Sequence, residues 1–312
     1  GSTNASSRQS TFSVSLSETT DGGIGISTGF DLAEENGGLD ASGLTLTFTN
    51  GSKLDLIEAG NSASTHVASI PSGSGEMSVA NDTLANAPTT ITFADGGDNV
   101  GFEFHTAADA FGVEGLKASA SASFNSDAAA TTTTHASAGM YSVGASYVSD
   151  AGDTTVTLGG GIYDGETTSS TSLYNTEGFV ISANAVTGNL TIGVGYADGT
   201  DMGTGATTGV DGDANGYAIT GASVTKAGAK YVSGDMTFQI GMTSGEGNDG
   251  DLAANATGSN DSYDATSASV DYAVASGVTA TVGYLNVDRA DDGENDLSAS
   301  GNSWYVGATV SF

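Results

Sequence analysis

The chain has no cysteine, which excludes a disulfide scaffold, a thiolate metal site and a cysteine nucleophile. It has only six basic residues (Arg8, Lys53, Lys117, Lys226, Lys230 and Arg289) against 37 acidic ones, a formal net charge of −31. Phosphate binding needs clustered Lys and Arg, so nucleic acid is excluded as a partner. Three scattered histidines, His66, His105 and His135, argue against a histidine-built metal site. No stretch approaches the roughly 18 consecutive apolar residues of a membrane-spanning helix, and no N-terminal basic region precedes an apolar core. Charged residues make up 14% of the chain, against roughly 25% in an ordinary soluble domain, while glycine reaches 47 residues and proline only 2. A water-soluble surface of this size would carry more charge, so the chain is either secreted or processed, or meets a membrane in another way.

What the sequence does have is alternation. Trp304, Val306, Ala308, Val310 and Phe312 alternate with Ser303, Tyr305, Gly307, Thr309 and Ser311, which gives a strand one apolar and one small polar face. The same period of two runs through Val278 to Tyr284, Leu190 to Tyr196 and Phe12 to Ser17, and no segment has a convincing helical period. A sandwich would show charged residues outside and large apolar ones inside. Here the second face is Ser, Thr and Gly, as suits a wide, wet lumen opposite a lipid-facing band. That phase assigns Phe12, Leu46, Leu56, Phe102, Phe179, Ile192, Phe238, Val282 and Val306 to lipid, and Thr191 and Thr281 to water.

Connections of two kinds alternate. Short turns are expected at Thr20-Asp21-Gly22, Asn50-Gly51, Gly112 to Gly115, Asp150 to Asp153, Gly188-Asn189, Gly234-Asp235 and Ser276-Gly277. Long polar connections are expected at about 31–43, 59–98, 125–138, 164–177, 198–215, 244–265 and 288–302. The segments between them number fifteen: seven hairpins, beginning with Phe12 to Leu16 against Ile24 to Phe30, and a terminal strand at 303–312. Single-chain bacterial barrels have even strand numbers. The expected fold is therefore all-β, a transmembrane antiparallel β-barrel of the 16-stranded type, with fifteen strands visible and the first lying upstream of residue 1. An open sheet would leave two edges in lipid, where each unsatisfied backbone group costs several kcal/mol. Residues 1–312 read as one barrel domain.

The segments Phe12 to Phe30, Gly51 to Gly60 ahead of the long third connection, and Trp304 to Phe312 resemble the alphaproteobacterial general porins of the bacterial outer membrane. The resemblance implies a homotrimer of 16-stranded barrels, a third loop folded into the lumen as a constriction, and a C-terminal Phe312 read by the outer-membrane assembly machinery. It also implies the outer membrane as location and outer-membrane lipids as partners. The cluster of Arg that the family usually places opposite the third loop is missing here, so selectivity is not carried over.

The third connection is the longest, and loops of this length are usually functional. It supplies Glu76, Asp82, Asp95 and Asp98, and the alternation Val100, Phe102, Phe104 turns Glu103 and His105 toward the lumen. No basic residue occurs between Lys53 and Lys117 to balance them. These five acids are together the candidate pore constriction, although each taken alone reads first as a solvated loop charge. Lys53, Asp55, His105 and Lys117 are candidate lumen-wall residues. Lys53 and Asp55, two apart on one face, are placed to pair with each other, while Lys226 and Lys230 near a short turn read as a solubilising rim.

Asp211, Asp213 and Asn215 have the oxygen spacing that opens a calcium loop, although the twelfth position is Ala222 and a Gly/Asp-rich solvated loop is the better reading of the string. The connections 198–215, 244–265 and 288–302 contain fourteen acids and one base, so weak Ca²⁺ binding at the outer loops is expected, with no cofactor required. His135 and Ser137 lack an acidic third member, and no catalytic site is assigned. The reading is a cation-preferring channel for passive diffusion of small hydrophilic solutes and ions. Its alternative is a secreted, acidic, all-β surface or adhesion protein that binds calcium.

Overall fold

A computed structural model describes residues 11–33, 39–56, 61–74, 78–79, 100–124, 136–169, 172–199, 221–248, 261–290 and 298–310. Among these residues fifteen strands form one antiparallel sheet in strict sequence order. They are β1 Thr11–Thr19, β2 Gly25–Ala33, β3 Leu39–Thr47, β4 Lys53–Leu56, β5 Val100–His105, β6 Leu116–Phe124, β7 Ala136–Ala151 and β8 Thr154–Ser169. There follow β9 Ser172–Thr187, β10 Leu190–Gly199, β11 Gly221–Ser233, β12 Met236–Asn248, β13 Asp261–Ala275, β14 Val278–Ala290 and β15 Ala299–Val310. Each strand pairs with its neighbours in sequence, and among the described residues β1 and β15 do not pair with each other.

All seven short turns lie where the sequence puts them. Gly188 and Gly234 hold the first central position of two-residue hairpins at φ +52° and +56°, a left-handed backbone that suits glycine. Two of the long connections are shorter than the sequence predicts. β2 and β3 pair as far as Leu32 and Leu39, and β8 and β9 as far as Ser169 and Ser172, inside the expected loops 31–43 and 164–177. The ladder needs only backbone groups, so it continues through Thr, Ser and Tyr after the apolar alternation has ended. The first hairpin likewise runs from Thr11 against Ala33, longer than expected.

The faces are inverted relative to a soluble protein. Phe102, Phe179, Ile192, Phe238 and Val282 are exposed on one face, and Val306 is 81% exposed. Leu46 and Leu56 are half-buried, and Phe12 lies outside the residues whose side chains are described. The opposite face buries Ser119, Ser121, Ser142, Ser182, Thr243, Ser267 and Ser269. Aromatic residues edge the apolar face at both ends. Tyr147, Tyr231, Phe238 and Tyr272 lie toward the short turns, and Phe102, Phe124, Tyr141, Phe179 and Tyr196 toward the long connections. Such girdles sit at the two interfaces of a membrane-spanning barrel. Beyond the second girdle the same outward positions carry exposed carboxylates: Asp164, Glu177, Asp198, Glu246, Asp264 and Asp288.

A strap on the inner wall as candidate functional site

The third connection supplies a strap, residues 61–74 with 78–79, that lies along the small-residue face. It opens with a four-residue helix, α1 Ser62–Thr65, which the sequence reading did not anticipate. The Asn61 side chain accepts from the Ala63 N–H and caps it. A Ser/Ala/Thr run without apolar periodicity has no helical signature, and this turn is fixed by its contacts.

Those contacts are polar and many. The Ser62 N–H donates to Ser142 Oγ at 2.7 Å and Ser121 Oγ at 3.2 Å, and Ser62 Oγ donates to Glu103 Oε1 at 2.7 Å. Thr65 Oγ1 donates to the same Glu103 oxygen at 3.1 Å. His66 is bound on both ring nitrogens, to Ser146 Oγ at 3.0 Å and Ser119 Oγ at 2.8 Å. Farther along, the Ala68 N–H donates to Ser182 Oγ at 2.7 Å, Asn184 donates to the Ser69 carbonyl at 3.1 Å, and Ser267 Oγ donates to the Ser72 carbonyl at 2.9 Å. Gln239 donates to Ser74 Oγ at 2.7 Å, while Ser74 Oγ donates to Asp271. The Tyr263 hydroxyl, fully buried, donates to the Val79 carbonyl at 2.9 Å. The strap's hydrogen bonds thus reach β5, β6, β7, β9, β12 and β13.

Glycines fill the gaps between the hydroxyls. A β-carbon on Gly159 would lie 1.9 Å from the His66 carbonyl oxygen, and one on Gly228 would lie 1.8 Å from the Pro71 carbonyl oxygen. Gly144, Gly161, Gly193 and Gly241 face strap backbone in the same way. The strap backbone therefore rests on the wall backbone itself, which only a track without side chains permits. Beside it a cavity of about 360 Å³ along β1 to β5 is lined by Ser15, Ser17, Ser27, Thr45, Asp55 and Glu103 together with Leu16, Leu44 and Leu56.

Several wall residues differ from expectation. Glu103 does face inward, but the residue is 5% exposed and its carboxylate holds α1 instead of opening on an aperture, because the register puts it beneath Ser62 and Thr65. Asp55 pairs with His105 at 2.9 Å and accepts from Thr45, not with Lys53. Asp55 and Glu103 stand directly opposite each other, a like-charge juxtaposition, and His105 lies 2.9 Å from the first and 3.7 Å from the second. Lys53 and Lys117 are exposed. Lys226 and Lys230 share the inward face of Gly228 and lie on either side of the strap crossing, so they belong to the wall and not to a rim. Glu76, Asp82, Asp95, Asp98, His135, Asp211, Asp213, Asn215 and Phe312 lie outside the described residues. His66, Ser62 and the glycine track were not singled out from the sequence. The only signal was glycine recurring at inward positions where serine would serve a lumen equally well.

No family model matches the chain, and no curated protein matches it. Solved structures do. The anion-selective porin from Comamonas acidovorans superposes with a TM-score of 0.58 at 12% identity, over 97% of this chain and 89% of that one. The outer membrane channel DcaP of Acinetobacter baumannii gives 0.58 at 12% identity, over 96% and 84%. OmpT, an outer membrane protein of Vibrio cholerae, gives 0.54 at 14% identity, over 97% and 95%. At these identities the likeness establishes the fold, that of bacterial outer-membrane barrels.

Proposed function

We propose that this protein is a bacterial outer-membrane porin, a water-filled channel for passive diffusion of small hydrophilic solutes and ions. The observation that carries the reading is the inverted wall: large apolar residues exposed outside, hydroxyls and glycines inside, and a loop-derived strap seated on the inner face. A secreted surface protein would leave the exposed band of Phe, Ile, Val and Trp in water. The resemblance to general porins adds a homotrimer, assembled through part of that band.

The channel prefers cations. The chain carries −31 formal charges, and low-dielectric walls focus the field of lumen and mouth carboxylates on the water path. Glu76, Asp82, Asp95 and Asp98 on the third connection are the proposed source of that field at the constriction. Glu103 contributes from beneath the strap. Reversal potentials across a tenfold KCl gradient test this. A cation-selective sign is expected at low salt, weakening as the Debye length falls from about 10 Å at 0.1 M to about 3 Å at 1 M. An anion-selective sign at low salt contradicts it.

The acidic outer loops bind Ca²⁺ weakly in the same reading, with Asp211, Asp213 and Asn215 as candidate ligands. The exposed carboxylates Asp164 opposite Glu177 and Asp264 opposite Asp288 add like-charge pairs that a divalent cation relieves. Chelator is expected to lower the thermal midpoint, and an unchanged midpoint removes this part of the reading.

A further inference from the structure

One hydrogen-bonded chain ties the strap to the wall through two imidazoles. His66 Nδ1 lies 3.0 Å from Ser146 Oγ and its Nε2 lies 2.8 Å from Ser119 Oγ. The same Ser119 Oγ lies 2.7 Å from His105 Nδ1, and His105 Nε2 lies 2.9 Å from Asp55 Oδ2. With both imidazoles neutral the hydrogens order in one direction. Ser146 donates to His66, His66 to Ser119, Ser119 to His105, and His105 to Asp55. One proton on the chain is accommodated with that order kept: His66 Nδ1 then donates to Ser146, while His66 still donates to Ser119, Ser119 to His105 and His105 to Asp55. A second proton has no such arrangement. Both imidazolium rings would then point an N–H at one hydroxyl, whose own hydrogen would lose its acceptor in a site where Ser119 is 5% exposed.

We infer that the chain Ser146, His66, Ser119, His105, Asp55 is a proton-operated latch: with at most one proton it holds the strap against the wall, and a second proton releases it into the lumen. The charged and polar groups around the two imidazoles come from five wall strands. β4 offers Asp55, β5 offers Glu103 and His105, β6 offers Lys117, and β7 and β8 offer Ser146 and the bare backbone of Gly159. Burial holds the His66 imidazole below its ordinary 6.5, His105 and Lys117 push the same way, and Glu103 opposes them. A released His66 takes up its proton as pH falls through 6.5, whereas the latched one does so only at lower pH. The latch is therefore weakened progressively below 6.5, by up to about tenfold in population per pH unit for that proton until the latched ring also protonates, and it opens when the second proton arrives. Because the wall blocks motion outward, a released strap can only enter the water path, and conductance falls.

The chain has no native cysteine, so a spin label on Ser69→Cys, an exposed strap position, reports the strap alone. Label mobility is followed from about pH 8 to about pH 4, the range that brackets imidazole titration, with single-channel conductance measured in parallel. The label should mobilise below pH 6.5 in the otherwise native protein and stay immobile in His66→Gln, which keeps a donor and an acceptor but cannot take the proton. Ser119→Ala, which removes the shared hydroxyl, should move the transition to higher pH. A transition unchanged by His66→Gln, or none in the native protein, overturns the latch. The electrical readout rests on the channel reading and the label does not. A label transition without any conductance would sink the channel and leave the latch standing.

Discussion

Replacing Gly159 and Gly228 together by alanine is expected to lift the strap from the wall and reduce conductance while the barrel stays folded. The new methyl groups would fall 1.9 and 1.8 Å from carbonyl oxygens of His66 and Pro71. Both are backbone atoms on each side of the contact, so no side chain can swing aside and the strap must move. Overpacking of this kind costs about 1–3 kcal/mol per site, and the two sites lie three strands apart, so the effects should add. The hydrogen bonds that anchor this half, from Ala68 to Ser182 and from Ser267 to the Ser72 carbonyl, lengthen together. Gly301→Ala is the control: its β-carbon would meet nothing within 4 Å, and no change is expected. Heat-modifiable gel migration reports the barrel and bilayer recording reports the strap. Native conductance in the double variant contradicts the seating described here.

The second large effect concerns the outer face. Ile192→Arg or Val282→Arg places a charge in the exposed apolar band, where a lipid-facing Arg costs about 2–4 kcal/mol near the bilayer midplane. Thr281→Arg, one residue from Val282, points to the lumen side, beside the Asp271 carboxylate that Thr281 now contacts at 2.7 Å. Its change should stay near the ±0.5 kcal/mol of an ordinary surface substitution. Reversible folding into lipid vesicles, followed by urea titration, separates the two. Equal losses at 281 and 282, or a larger loss at 281, would mean that the faces have been assigned the wrong way round.

What the sequence shows clearly is the part governed by period two. Fifteen strands, seven short turns and the inward aim of Glu103 and His105 follow from the phase of residues such as Phe102 and Phe104 and from Gly, Asn and Asp at the turns. Strand ends escape it, because β8 and β9 continue through polar residues on both faces, where alternation has nothing to report. Lys226 and Lys230 escape it for a related reason. Their outward neighbours Ala227 and Ala229 are too small to set a phase, so only the crossing of Pro71 over Gly228 identifies the inward face. His66 sits in a stretch with no period at all, and its partners Ser119 and Ser146 are 53 and 80 residues away in sequence. Short-range pattern specifies a strand and its faces, whereas the strap's place depends on polar side chains and gaps contributed by nine strands.

The central claim, an open water-filled lumen narrowed by a wall-seated strap, is tested most directly by adding detergent-purified protein to a planar lipid bilayer at neutral pH and recording current at fixed voltage. Discrete upward steps are expected, ohmic over moderate voltages and with a conductance that rises in proportion to the conductivity of the bathing KCl. Protein that folds into the bilayer, as shown by its gel shift, yet gives no steps at any salt concentration would contradict the account.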